Sequence, residues 1–191
     1  MKITDSGMPD EAYWNSLFDI GGIIEWLAIP VDATIAEIGC GYGTFTVPVA
    51  SCVEGVMYAF DIEPHMVEVA RENVLNSRLE NVRFDVRDVL ESGTGIAPDS
   101  IDLVLLFNIL HSDDKAVLLA EATRILRKGG IVAIIHWRKD IPTPRGPAVE
   151  LRPDLEQIME AAAGLGLDLL EGYRILPPYH WGARLIKVET K

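Results

Sequence analysis

The sequence predicts an α/β protein: a mostly parallel sheet covered by helices on both faces and finished by an antiparallel hairpin. Three observations predict it. Apolar runs of strand length alternate along the chain with segments of helical periodicity. Those runs, above all "IDLVLLFNIL" from Ile101, are apolar on both faces, as strands buried on two sides must be. The last two strand candidates, "LDLLEGYRIL" and "ARLIKVETK", are joined only by "PPYHWG", too short for a parallel crossover.

Each element has its own warrant. Residues 9 to 28 read as two helical pieces broken at Gly21-Gly22, the first with Tyr13, Trp14, Leu17 and Phe18 as an apolar stripe. "ATIAEIG" is a buried strand, and "TFTVPVA" opens a helix. "VMYAFD" is the next strand, ending at Asp61. Pro64 suits the first turn of the helix after it, which runs to about Asn76. "VRFDV" is a third strand and the Ile101 run a fourth. Leu118, Ala122 and Ile125 then recur at helical spacing. Arg127 and Lys128 suit the last turn of that helix, and Gly129-Gly130 its end. "IVAIIHW" is the fifth strand. The Pro-rich loop "RKDIPTPRGP" precedes a helix with Pro153 in its first turn and Leu155, Ile158, Met159 and Ala162 inward.

The 191 residues, 49 % of them hydrophobic, suffice for one core, and the expectation is one domain over 1–191. Its N-terminal helical segment, residues 1–30, is placed to cap a site. The chain has no apolar run of about 18 residues and no basic-then-apolar leader, so a cytoplasmic protein without a membrane span is expected. The formal charge of −12 argues against a nucleic-acid partner. Cys40 and Cys52 are too few and too poorly spaced for a disulfide framework or a zinc site, and no metal is expected.

The informative stretch is "AEIGCGYGTFTVPVA", Ala36 to Ala50: strand, glycine-rich turn, helix. Such a junction lets backbone approach a ligand closely. It is not the dinucleotide fingerprint, because Gly39, Gly41 and Gly43 put the third glycine one residue early and Thr44 stands in its place. Glu37 beside the turn would oppose a pyrophosphate and suit a cationic ligand such as an ammonium or sulfonium. Asp61, 22 residues after Gly39, ends the second strand, where a carboxylate can accept both hydroxyls of a ribose. Asp88 follows the third strand, where it can accept from an adenine amine. Three carboxylates at three successive strand ends describe a pocket for a positively charged adenosine compound.

"EIGCGYGTF", "AFDIEPHMVEVA", "VRFDVRDV", "IDLVLLFNILH" and "LRKGGIVAIIHW" together resemble the successive motifs of the class I S-adenosylmethionine-dependent methyltransferases, over roughly Thr34 to Trp137. The nearest flavour is the small-molecule group that includes the ubiquinone and menaquinone C-methyltransferases. The resemblance implies a Rossmann-like three-layer sandwich with a seven-stranded sheet ordered 3-2-1-4-5-7-6, strand 7 antiparallel. It also implies S-adenosyl-L-methionine as cofactor. Glu37 and the turn of Gly39, Cys40, Gly41 and Gly43 would hold the methionine portion. Asp61 would take the ribose and Ile62 flank the adenine. Asp88 and the backbone of Val89 would read the adenine edge, with Asn108 beside the methionine end.

The acceptor is expected at the carboxyl edge of the later strands. His111 and His136 are the candidate bases, since histidine titrates near neutral pH. "HSDDK" reads equally as a helix cap formed by Ser112 or Asp113. Trp14, Trp137, Arg138, Tyr179, His180 and Trp181 are the candidate acceptor-lining residues, and the loop with Arg138, Lys139, Arg145 and Arg152 carries a local positive excess. Motifs for nucleic-acid amine methylation and the cysteines for arsenical methylation are lacking. The expected activity is methyl transfer to an unidentified small molecule. Two alternatives are a catalytically silent S-adenosylmethionine-binding module serving a partner protein, and a nicotinamide oxidoreductase, which Thr44 opposes.

Overall fold

The computed structural model describes residues 8–188. Two short helices, α1 (Glu11–Asn15) and α2 (Ile20–Leu27), precede β1 (Ile35–Ile38). Then come α3 (Thr46–Ala50), β2 (Met57–Asp61), α4 (Pro64–Asn76), β3 (Val82–Val86), α5 (Val89–Ser92) and β4 (Ile101–Phe107). The chain continues through α6 (Lys115–Ile125), β5 (Leu126–Trp137), α7 (Leu155–Ala162), β6 (Leu167–Leu176) and β7 (His180–Lys187). The sheet order is β3-β2-β1-β4-β5-β7-β6, parallel except for β7, which runs antiparallel to both neighbours. This is the order and polarity expected. No helix among the described residues is long and apolar enough to cross a membrane.

Alternation along the strands builds the two cores. Ile35, Leu103, Leu105, Ala133, Ile135 and Trp137 face Ile23, Trp26 and Leu27 of α2 and Val49 of α3. Ala36, Ile38, Val104, Leu106, Val132 and Ile134 face Leu119, Ala122 and Ile125 of α6 and Ile158 of α7. Each fully buried Leu or Ile stabilises by about 1.5–3 kcal/mol, which is why the central strands carry almost no polar residue.

Four local expectations are corrected. Gly21-Gly22 do not break the N-terminal helices. They lie in the first turn of α2, where Gly22 N donates to the Asp19 cap (3.0 Å), and the break falls at Ser16–Asp19. Arg127, Lys128, Gly129 and Gly130 belong to β5, because Leu126 already turns extended (ψ 136°) and Arg127 pairs with Asp102 of β4. The N-cap of α6 is Asp114, not Ser112 or Asp113, and it makes no capping side-chain bond. Pro153 precedes α7, whose capping box is formed by Asp154 and Gln157. One register detail matters below: β7 begins at His180, three residues earlier than expected.

Candidate active site

The carboxyl ends of β1, β2, β4 and β5 surround a cavity of about 550 Å³. The β1 end is a turn in which Gly39, Gly41 and Gly43 all have positive φ. Gly39 (φ +82°) also faces Ile109 so closely that a Cβ would stand 2.7 Å from its Cγ2. Its N–H and that of Cys40 donate to Phe60 O (2.8 and 2.9 Å), tying the turn to β2. Gly43 packs instead on Ala70 of α4, where a Cβ would come within 3.2 Å of Ala70 Cβ. Gly39, Cys40 and Gly41 therefore line the cavity and Gly43 does not.

Glu37 is 2 % exposed and stands behind the turn, on the α3 face of β1, outside the cavity wall. Thr46 Oγ1 donates to its Oε2 (2.5 Å). Burial pushes the Glu37 carboxyl up to about 8; the Thr46 bond opposes this and the Asp61 charge adds to it. Asp61 is in the wall, half-buried and doubly anchored. Gly41 N donates to one oxygen (2.8 Å) and Glu63 N to the other (3.0 Å). Burial raises its pKa against those amide bonds. Each oxygen has a further lone pair for a ligand. Ile62, Asp88 and Val89 line the next section, with Asp88 capping α5 through Glu91 N (3.2 Å).

Asn108, just past β4, is held in the left-handed region (φ +59°) and lines the cavity. Its side-chain Nδ2 and Oδ1 are both buried and bond to nothing among the described residues. An amide so placed costs about 1–3 kcal/mol for each group left unsatisfied, unless a ligand supplies the partners.

His111 lines the cavity beyond Asn108. Its Nδ1 lies 3.1 Å from Asn108 O, and a carbonyl only accepts, so Nδ1 carries the proton and Nε2 keeps its lone pair. Burial lowers its pKa, opposed by that same bond, and the ring stays neutral at pH 7. His136 is fully buried, its ring 6.0 Å from that of His111. Its Nδ1 accepts from Trp137 N (2.9 Å), which puts its proton on Nε2, where it has no partner among the described residues. Burial pushes it down to about 3, with His111, His180 and Arg152 adding to the effect.

Trp14 and Trp137 line the cavity, their rings 6.2 Å apart, with Phe45 and Phe107 nearby. The other sequence candidates are elsewhere. Arg138 makes a two-pronged pair with Asp140 (3.0 and 2.6 Å). Tyr179 stacks behind Trp137 at 6.5 Å. His180 is buried between Phe18 (4.3 Å) and Trp137 (4.2 Å), pushed down to about 3 by burial. Trp181 points to the opposite face of the sheet, against Tyr173 (5.3 Å). None of these four is in the cavity wall. Phe45 and Phe107 are wall residues that the sequence does not single out, while Arg145, of the positively charged loop, is in the wall. For Phe45 and Phe107 the available signal was their place at the end of the turn and of β4.

The N-terminal strap closes one side. Tyr42 Oη donates to Pro9 O (2.8 Å), Asn73 Nδ2 to Glu11 Oε1 (2.7 Å) and Thr44 Oγ1 to Asn15 Oδ1 (2.6 Å), so α1 is tied to the turn and to α4.

Comparisons with known proteins agree with this fold. A solved S-adenosylmethionine-dependent methyltransferase from Aquifex aeolicus superposes with a TM-score of 0.81 over 94 % of both chains, at 21 % identity. The aklanonic acid methyltransferase DauC of Streptomyces sp. strain C5 is 32 % identical over 102 residues, 52 % of this chain and 46 % of that protein. A ribosomal protein L11 methyltransferase of Clostridium botulinum is 28 % identical over 117 residues, 60 % of this chain and 36 % of that protein. The chain spans less than half the length of the curated relatives it matches. The methyltransferase domain family matches residues 31–165, the segment that builds β1 to α7 and every wall of the cavity except the N-terminal strap. The chain thus belongs to the methyltransferase domain family.

Proposed function

We propose that this chain transfers a methyl group from S-adenosylmethionine to a small-molecule acceptor. The observation that carries the reading is Asn108: a residue lining the cavity beside the glycine turn and Asp61, whose two amide atoms are buried and without a partner among the described residues. The residues fit the cofactor. Gly39, Cys40 and Gly41 make room for the methionine portion, and Asn108 supplies the donor and acceptor its amino and carboxyl groups need. Asp61, held by two amides, accepts the ribose hydroxyls. Ile62 flanks the adenine, while Asp88 and Val89 read its edge. Glu37, buried behind the turn with Gly43, acts on a cationic ligand through its charge rather than by direct contact.

When bound, the cofactor supplies a methyl group already activated by its sulfonium. The protein's part is alignment, exclusion of water and, for an acidic acceptor, removal of a proton. His111 Nε2 is the base, since Asn108 O holds the other nitrogen protonated. His136, outside the wall, packs against the His111 ring, and burial keeps His111 neutral. Trp14 and Trp137 form the acceptor walls and the strap of residues 8–15 their cap; Arg138, Tyr179, His180 and Trp181 have no such role. The motif resemblance to the ubiquinone and menaquinone C-methyltransferases supports a flat, apolar acceptor, which aromatic walls suit.

Calorimetric titration with S-adenosylmethionine, S-adenosylhomocysteine and NAD in parallel tests the reading. Micromolar binding of the first two and none of NAD is expected. Binding of NAD alone overturns it.

A further inference from the structure

The single turn α5 carries the wall residues Val89 and Leu90 and is capped by the wall residue Asp88, so its placement shapes that end of the cavity. Four residues make too short a helix to hold itself in water, and its position must come from its anchors. Val89 is buried in the same core as Leu118 and Leu119 of α6. Such packing is non-directional and leaves the rotation of the turn to hydrogen bonds. On the entry side, Arg87 N donates to Asp61 O (2.7 Å). On the exit side the anchor is one carboxylate of α6. Glu121 Oε1 accepts from both Thr94 N and Thr94 Oγ1 (2.6 Å each), two residues past the end of α5.

The loop is shaped around that carboxylate. Gly93 stands at φ +63°, and a Cβ there would come within 3.1 Å of Glu121 Oε1. Thr94 is 3 % exposed, and its Oγ1 also accepts from Ile96 N (3.2 Å). Arg124, one turn further along α6, donates to both Glu121 oxygens (2.7 and 2.8 Å) and to Ile96 O (2.8 Å). Burial raises the Glu121 pKa, but the Arg124 and Thr94 bonds outweigh it and hold the carboxyl down to about 2, so it is ionised at neutral pH. Glu121, Thr94 and Arg124 lie outside the cavity wall, whereas Leu118, one turn before Glu121, is in it. The same helix thus supplies part of the wall and the grip on the turn beside it.

We infer that Glu121 is a positioning residue for base selectivity: by gripping Thr94 it fixes α5 so that Asp88 and Val89 meet adenine in register. The inference rests on the reading above that Asp88 and Val89 read the adenine edge. A group that reads a ligand discriminates only as well as the shell behind it is held.

The test titrates the full chain calorimetrically with S-adenosylhomocysteine, S-inosylhomocysteine and the base-free S-ribosylhomocysteine. Hypoxanthine carries a carbonyl where adenine carries its amine, so Asp88 would face an acceptor in place of a donor. The wild type is expected to prefer the adenine ligand roughly tenfold or more. Glu121→Gln, and independently Thr94→Val, should lower that preference roughly threefold or more. Both should leave S-ribosylhomocysteine affinity unchanged, which also shows that the variants are folded. A preference that survives in both variants, or an equal weakening of all three ligands, overturns the inference. Should Glu121→Gln fail to fold, Thr94→Val decides alone. A wild type that binds no adenine ligand, or does not prefer it, falls on the adenine reading instead. Hydrogen exchange of the amides from Asp88 to Ile96 in the ligand-free chain then tests the grip: faster exchange in Glu121→Gln is expected, and unchanged exchange overturns it.

Discussion

Replacing Glu37 by Gln isolates what the buried carboxyl costs. Its folded pKa is about 8 against an ordinary 4.5. Between those values the folded chain binds more protons than the unfolded one, so its stability falls as pH rises through that window. Each pH unit is worth about 1.4 kcal/mol, and from pH 4.5 to pH 7 the loss comes to about 3 kcal/mol. Glutamine has the same shape, can still bond Thr46 Oγ1 and does not titrate. The variant should therefore gain on the wild type by about 3 kcal/mol between pH 4.5 and pH 7, a difference of roughly 6–12 °C in Tm for a domain of this size. Thermal and urea unfolding of both proteins across pH 4.5 to 8 measures it. Groups common to both, such as the buried histidines, cancel in the difference. Two stability curves that stay parallel across the window would refute the reasoning, since a carboxyl that titrates alike in both states leaves no gap to open.

Glu37 should also link ligand and proton. A cationic ligand near it favours the carboxylate, so S-adenosylmethionine binding at pH 7 should release up to about one proton, seen as a buffer-dependent enthalpy that Glu37→Gln abolishes. His136 and His180 work in the opposite direction. Both are driven to about 3 when folded, so the unfolded chain binds more protons between there and 6.5. Stability is lost as pH falls through that range, by about 1.4 kcal/mol per pH unit for each histidine. His180→Phe, which keeps the stack on Phe18 and the ring contact with Trp137, should reduce that slope by one histidine's share in acid-unfolding curves. Asp61→Ala should weaken S-adenosylmethionine by about 1.5–3 kcal/mol, and unchanged affinity by calorimetry would remove Asp61 from the site.

What the sequence made legible was local. Glycines after β1 and carboxylates at strand ends could be placed because turn chemistry and the end-of-strand rule act over a few residues. Direction was harder. Glu37 was expected in contact with the ligand, yet the period of two puts it on the same face as Ile35, against α3. By sequence alone His180 and Trp181 are loop residues that share one pocket. As neighbours in β7 they must point to opposite faces, and only the strand's earlier start reveals it. The end of α6 was misplaced because Arg127 is drawn to Asp102 across the sheet. The buried Arg152, whose guanidinium donates to Arg138 O, Arg145 O and Pro147 O, had no local signal, since its acceptors are backbone atoms up to 14 residues away.

The position of β7 also bears on how the chain is made. It follows β6 in sequence but lies between β5 and β6 in the sheet. As the ribosome extends the chain, β6 emerges with no strand to join, and the edge of β5 stays open. Leu169, Leu170, Tyr173 and Ile175, already solvent-facing in the finished fold, then belong to an unpaired apolar strand. Only when His180–Lys187 clears the exit tunnel can one insertion close both gaps. β1 to β5 can assemble before β7 emerges, and the interval until it does is when β6 is most exposed to chaperones and to other nascent chains.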